Sequence, residues 1–142
     1  MRYFLALLCV AFLFGCDGLD GIFGSSEDVR YSTDRSKYTT DQNVTITLAN
    51  EMKNAVGHNL CSSVLERRQS GKWQVALEQE GRACTSAIFP LAAGKQETFS
   101  FVLSAQLPAG AYRCKTRIYQ LDQNSSVQSS REIVTDSFEV RR

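Results

Sequence analysis

Leu107-Pro-Ala-Gly-Ala-Tyr-Arg-Cys-Lys-Thr-Arg-Ile-Tyr119 is the stretch from which the fold is read. From Tyr112 onward the side chains alternate. Tyr112, Cys114, Thr116 and Ile118 fall on one side of an extended chain, and Arg113, Lys115 and Arg117 fall on the other. Successive strand side chains point to opposite faces, so this is a β-strand with one buried and one solvated face. The Pro-Ala-Gly ahead of it is a turn.

The same grammar extends in both directions. Val44-Thr-Ile-Thr-Leu48 alternates, with Val44, Ile46 and Leu48 on one face. Residues 50–57 read as a loop. A second strand is expected over Leu60 to Glu66. Gln69-Ser-Gly-Lys72 then turns into a third strand around Trp73, a hairpin in which Trp73 covers one side of the core. Phe99, Phe101 and Leu103 share a buried face. A polar loop from Asp122 to Ser130 precedes a closing strand near Val134 to Val140, with Phe138 and Val140 inward. About seven short strands with turn residues between them predict an all-β, antiparallel β-sandwich; a small barrel is the alternative.

Two resemblances add to this. Leu107 to Cys114 resembles the approach to the sixth strand of immunoglobulin-like domains, where a tyrosine two residues before a cysteine forms a tyrosine corner; here that residue is Tyr112. The order of Thr33 to Tyr38, Gly71 to Trp73, Leu91 to Phe101 and Leu107 to Tyr112 resembles bacterial immunoglobulin-like domains carried on envelope lipoproteins. The resemblance spans residues 29–140 and implies an immunoglobulin-like sandwich in the cell envelope. It departs in one respect: no cysteine lies between Val44 and Asn50, so the antibody-type bridge to Cys114 cannot form.

The N-terminus points to the same compartment. Arg2 followed by the apolar run Tyr3 to Phe14 has the form of an export signal. An apolar core of about 12 residues is short for a permanent membrane span. Leu13-Phe-Gly-Cys16 resembles the lipobox of bacterial lipoproteins, which implies cleavage before Cys16 and acylation of that cysteine. The expected organisation is a signal peptide over 1–15, a lipidated Cys16 with a flexible Gly/Ser/Asp-rich tether over 16–30, and the sandwich over 31–142. The expected location is the cell envelope, lipid-anchored, on the periplasmic face of the inner or outer membrane if the source is Gram-negative. Asp17 resembles the inner-membrane retention signal of enteric bacteria.

Charge excludes an electrostatic nucleic-acid partner. The chain holds 16 basic and 15 acidic residues; removing residues 1–15 takes away Arg2 alone and leaves 15 of each. A nucleic-acid surface needs a basic excess or patch.

Once Cys9 leaves with the leader and Cys16 takes lipid, Cys61, Cys84 and Cys114 remain. Three thiols in an oxidising compartment allow one bridge and one leftover. Cys61–Cys84, flanking the Trp73 hairpin, is the favoured pair, with Cys114 a buried free thiol; Cys61–Cys114 is the rival.

Catalytic chemistry finds little support. His58, the only histidine, and Cys61 lie three residues apart, a weak nucleophile–base signal that a disulfide would abolish. No metal-ligand spacing occurs, and no cofactor is expected. Binding is the expected role, through loops gathered at one end of the sandwich: residues 50–59 with Asn54, His58 and Asn59, and residues 122–130 with Asn124 and Gln128. The expectation is a non-enzymatic envelope domain, held to membrane lipid through Cys16, that binds or scaffolds an envelope protein. A purely structural protein, a protease-inhibitor-like module and a glycan-binding module are the alternatives. Neither loop carries an aromatic platform for sugar. Nothing in the sequence sets an oligomeric state.

Overall fold

The computed structural model describes residues 28–77, 79 and 81–142. The signal peptide, the acylation site at Cys16 and the tether up to residue 27 lie outside the described residues.

The chain folds as an all-β sandwich of two sheets. Its strands are β1 (Val29–Thr33), β2 (Lys37–Thr39), β3 (Asn43–Asn50), β4 (Val56–His58), β5 (Val64–Gln69), β6 (Lys72–Val75), β7 (Phe89–Leu91), β8 (Gln96–Val102), β9 (Gly110–Leu121), β10 (Val127–Val134) and β11 (Phe138–Arg141). One sheet has the order β1-β3-β8, and the other eight strands form the second sheet. Twelve-residue β9 is the spine of the second sheet. Along one edge it pairs with β11 near Tyr112 and with β10 from Lys115 to Leu121; along the other it pairs with β5 and then β4. The alternation read from the sequence holds here. Tyr112, Cys114, Thr116 and Ile118 are all buried, while Arg113, Lys115 and Arg117 line the outer face.

The two sheets meet over Val44, Ile46 and Leu48 of β3, Leu103, Leu107, Tyr112 and Val140, each with no exposed surface. Tyr112 shows the tyrosine corner by its geometry: its hydroxyl donates to the Pro108 carbonyl at 2.6 Å. Its ring stacks on Phe138 at 6.3 Å, and Phe138 meets Tyr38 edge-on at 5.1 Å. The β5–β6 hairpin turns through Ser70 and Gly71, both at positive φ (48° and 80°), the backbone that matches the twist of a two-residue hairpin.

Several details differ from the sequence reading. The described residues form eleven strands rather than about seven, because β2, β4 and β7 are three-residue strands too short to show a period. β1 takes in Val29 and Arg30, expected in the tether, because Val29 and Tyr31 both reach the core. β2 runs parallel to β11; the other pairings are antiparallel. Leu60–Ser62 is a 3-10 turn, and the second strand starts only at Val64. The polar loop ends at residue 126, since Val127 to Val134 pair with β9 despite their Gln and Ser side chains. Trp73 lies outside the core: it is half-buried on the outer face, with the Arg113 guanidinium 4.5 Å over its ring. The bare strand surface gains a cation–π contact there.

Candidate functional site

β7 ends the larger sheet on one side, and β8 ends the smaller one beside it. Between these two edge strands the sandwich stays open, leaving a cleft of about 290 Å³. β4 sets His58 into it, opposite Phe89 of β7 and Ile118 of β9. The His58 and Phe89 rings lie 6.3 Å apart, and β8 contributes Glu97, Thr98 and Phe99 from the far side. Asn59, Leu60 and Cys61, which follow His58 in the chain, and Pro90 of β7 complete the lining.

His58 is only 5% exposed, and its Nδ1 is buried with no hydrogen-bond partner. Burial pushes its pKa below the ordinary histidine value, and the Glu97 charge opposes this only in part. The imidazole is therefore neutral near pH 7, with one donor and one acceptor nitrogen. A buried polar atom without a partner costs about 1–3 kcal/mol and needs an explanation. Phe89 beside it is 46% exposed, a large apolar surface left to water.

A second cleft, of about 340 Å³, adjoins this one across Cys61. Cys61 and Cys84 form a disulfide with Cα atoms 5.7 Å apart, so Cys61 offers no thiolate to His58. The bridge holds Arg82 against the smaller sheet, its guanidinium 4.6 Å over Phe101 and 5.4 Å over Phe99. Arg82 Nε donates to the Cys61 carbonyl at 3.2 Å, and Nη2 donates to the Ser63 carbonyl. Cys114 is free and buried, its thiol pushed up to about 12 by burial despite the nearby Arg82 charge. It is an inert core residue.

The binding residues expected from the sequence separate. The loops at residues 51–55 and 122–126 do lie at one end, since Val56 pairs with Gln120 and Val127 with Leu121. Asn54 and Asn124 are exposed there. Asp122 organises the second loop, accepting from the Asn124 and Ser126 amides at 2.8 Å and from Gln128 Nε2 at 3.1 Å. His58 and Asn59 are not loop residues at that end. His58 belongs to β4, and Asn59 is buried, its Nδ2 donating to the Thr85 and Ala87 carbonyls at 2.7 and 3.0 Å. These bonds let Asn59 position the 85–87 segment, and the residue stays beside His58 in the wall of the same cleft. Phe89, Glu97 and Arg82 escaped the sequence reading: the cleft joins edges far apart in the chain, and no local pattern marks it.

On the opposite, outer face, Glu66 is buried between Arg113 (2.8 Å) and Lys115 (3.0 Å). Burial raises its pKa, but the hydrogen bonds and charges of Lys115 and Arg113 outweigh this and hold the carboxyl below its usual range. Among the described residues, no cluster of His, Cys, Asp and Glu could hold a metal, and no helix is long and apolar enough to cross a membrane.

No protein-family model matches the chain, and no curated protein does. Among solved structures it is similar to the ASH/PapD-like domain 7 of human CEP192, at 11% identity and a TM-score of 0.46, covering 99% of this chain and 96% of that one. It is also similar to a part of the Pseudomonas fluorescens alkylpurine DNA glycosylase AlkC, solved bound to DNA containing an abasic site analog. That likeness has 14% identity and a TM-score of 0.40, with 81% of this chain and 31% of that one covered. Neither likeness bears on what this chain binds.

Proposed function

We propose that the protein is a lipid-anchored, non-enzymatic binding module of the cell envelope, tethered through an acylated Cys16, whose recognition surface is the cleft between β7 and β8. The observation that carries this reading is the pairing of a buried, partnerless His58 Nδ1 with the half-exposed Phe89 ring in one cleft. A passive structural domain has no need to leave both unsatisfied. A ligand that covers Phe89 takes that exposed apolar surface out of water, with the neutral imidazole in the wall beside it. The Cys61–Cys84 bridge accords with an oxidising compartment and removes the thiol that an enzymatic reading would need. We place the recognition surface at this cleft rather than in the end loops expected from the sequence; in one of those loops Asp122 already holds the Asn124 and Ser126 amides and the Gln128 side chain.

The test has two arms. Cys16→Ser should move the protein from the detergent phase to the aqueous phase; unchanged partitioning removes the anchor. A photo-crosslinking amino acid at position 89, in intact cells, should capture a partner that is lost on His58→Ala. Capture that is indifferent to His58 refutes the cleft as the recognition surface.

A further inference from the structure

We infer that the free edge of β8 accepts an extended peptide as an added strand, with a large apolar side chain of that peptide in the His58 cleft and a Lys or Arg two residues away against Glu97. This deepens the binding reading above and rests on it.

The hydrogen-bonding direction along β8 follows from its ends. Asn50 N donates to the Lys95 carbonyl, and Leu103 N donates to the Gln42 carbonyl, both at 2.9 Å. Antiparallel ladders alternate, so the odd residues from Lys95 to Leu103 bond β3 and the even ones turn their N–H and C=O groups away from it. Gln96, Thr98 and Ser100 thus present a row of main-chain groups at the mouth of the cleft, with no strand among the described residues paired to them. At the next even position the edge is already engaged. The side-chain amide of Gln79 donates to the Val102 carbonyl and accepts from Ser104 N, each at 3.1 Å. These are the two bonds that one residue of an added parallel strand would make around Leu103. A side-chain amide thus already stands where a peptide backbone would continue.

Natural edge strands are blunted by proline, lysine, bulges or short length. β7 carries Pro90, β6 is four residues long and carries Lys72, and β10 has a register shift between Val127 and Ser129. β8 runs seven residues in continuous register with no proline, lysine or bulge. Its one guard is Glu97, a charge on the inward-facing set of side chains. Glu97 makes no ion pair with a described residue, and no cation lines the cleft, so it favours a strand carrying a cation and disfavours a purely apolar one. In an added strand, residues two apart share a face. An apolar side chain between Phe89 and Phe99 therefore places its second neighbour within reach of Glu97.

The oxidised domain is to be panned against a displayed library of random nonapeptides, and the selected peptides synthesised and titrated. They should carry an aromatic or large aliphatic residue two positions from Lys or Arg. Thr98→Pro removes an outward N–H and leaves the β3 ladder intact; it should weaken binding about tenfold or more, while Thr98→Ala stays near wild type. In the wild-type protein, the Thr98 and Ser100 amides should become protected from hydrogen exchange when peptide binds, a readout independent of how the proline variant folds. Peptides that bind without protecting those amides but are lost on Phe89→Ala overturn strand addition and leave the cleft reading standing. Peptides indifferent to Thr98→Pro and to Phe89→Ala alike, or a library that yields no binder, overturn both. A dimer formed through two β8 edges, visible by sedimentation and abolished by Thr98→Pro, assigns the edge to a second copy of the chain and overturns the peptide.

Discussion

Removing the Cys61–Cys84 bridge should cost the domain about 3 kcal/mol. The two cysteines lie 23 positions apart, and at 25 °C the chain-entropy relation for a closed loop of that size gives about 3 kcal/mol. Both residues are only half-buried, so replacing them with alanine removes little packing and isolates the cross-link. The variant is Cys61→Ala with Cys84→Ala, which leaves Cys114 as it is in the native domain. Urea unfolding followed by Trp73 fluorescence should give a midpoint lower by about 1.5–2 M for a slope of about 1.5–2 kcal/mol/M, the slope rising slightly as the freed denatured chain expands. The reduced wild-type protein should superimpose on the variant. A loss under about 1 kcal/mol would show that Arg82, Asn59 and the carbonyls they bond hold the 81–88 segment even in the denatured ensemble, which refutes loop closure as the source. A loss above about 5 kcal/mol refutes it from the other side, since closing this loop cannot supply that much.

Tyr112→Phe should cost about 1–2 kcal/mol in the same assay, because the Pro108 carbonyl loses its 2.6 Å donor while the ring stack on Phe138 remains. Glu66→Gln should cost about 1–2 kcal/mol at pH 7, discounted from a fully buried pair because the Arg113 and Lys115 side chains remain 23% and 26% exposed. The folded-state pKa of Glu66 is depressed, so its contribution is present above the unfolded carboxylate pKa and is lost as pH falls through the folded value. The gap between wild type and variant should therefore shrink in urea melts taken toward about pH 3. Gly57→Ala should cost about 1–3 kcal/mol by thermal melt: the added Cβ would lie 2.5 Å from Ile88 Cγ2 and 3.1 Å from Tyr119 Cβ, and the Ile88 side chain must shift to admit it.

β9 and β3 were legible because each has one face in the core and one outside, so burial wrote a period of two into their residues. β10 was not. It lies at the periphery of the sheet, and only Ile133 packs against the core, so its Gln-Ser-Ser run resembles a loop until its pairing with β9 is known. β4 was hidden for a different reason. Its glycine and the flanking asparagines read as turn residues, whereas Gly57 is there because Ile88, Leu121 and Tyr119 crowd the space a side chain would fill. Trp73 misled through size alone, since an indole can cover a surface under an arginine as well as fill a core. The disulfide was legible because Cys114 shares the period of Tyr112 and Ile118, which marked it as a core residue. The cleft was illegible because His58, Phe89 and Glu97 come from three strands whose proximity is a property of topology.

The position of β9 in the chain also sets the order in which the domain can form. Four other strands pair with it directly, and it begins only at Gly110. A chain delivered from its N-terminus can assemble β1, β3 and β8 first, while β4 and β5 wait without the strand that joins them. Apart from the β5–β6 and β9–β10 hairpins, the pairings of the larger sheet join strands distant in sequence, which favours slow folding on the millisecond-to-second scale. A fragment ending before Gly110 keeps only two separate two-stranded pieces of the larger sheet, β4 with β7 and β5 with β6. Completion of the domain is tied to the arrival of a single late segment.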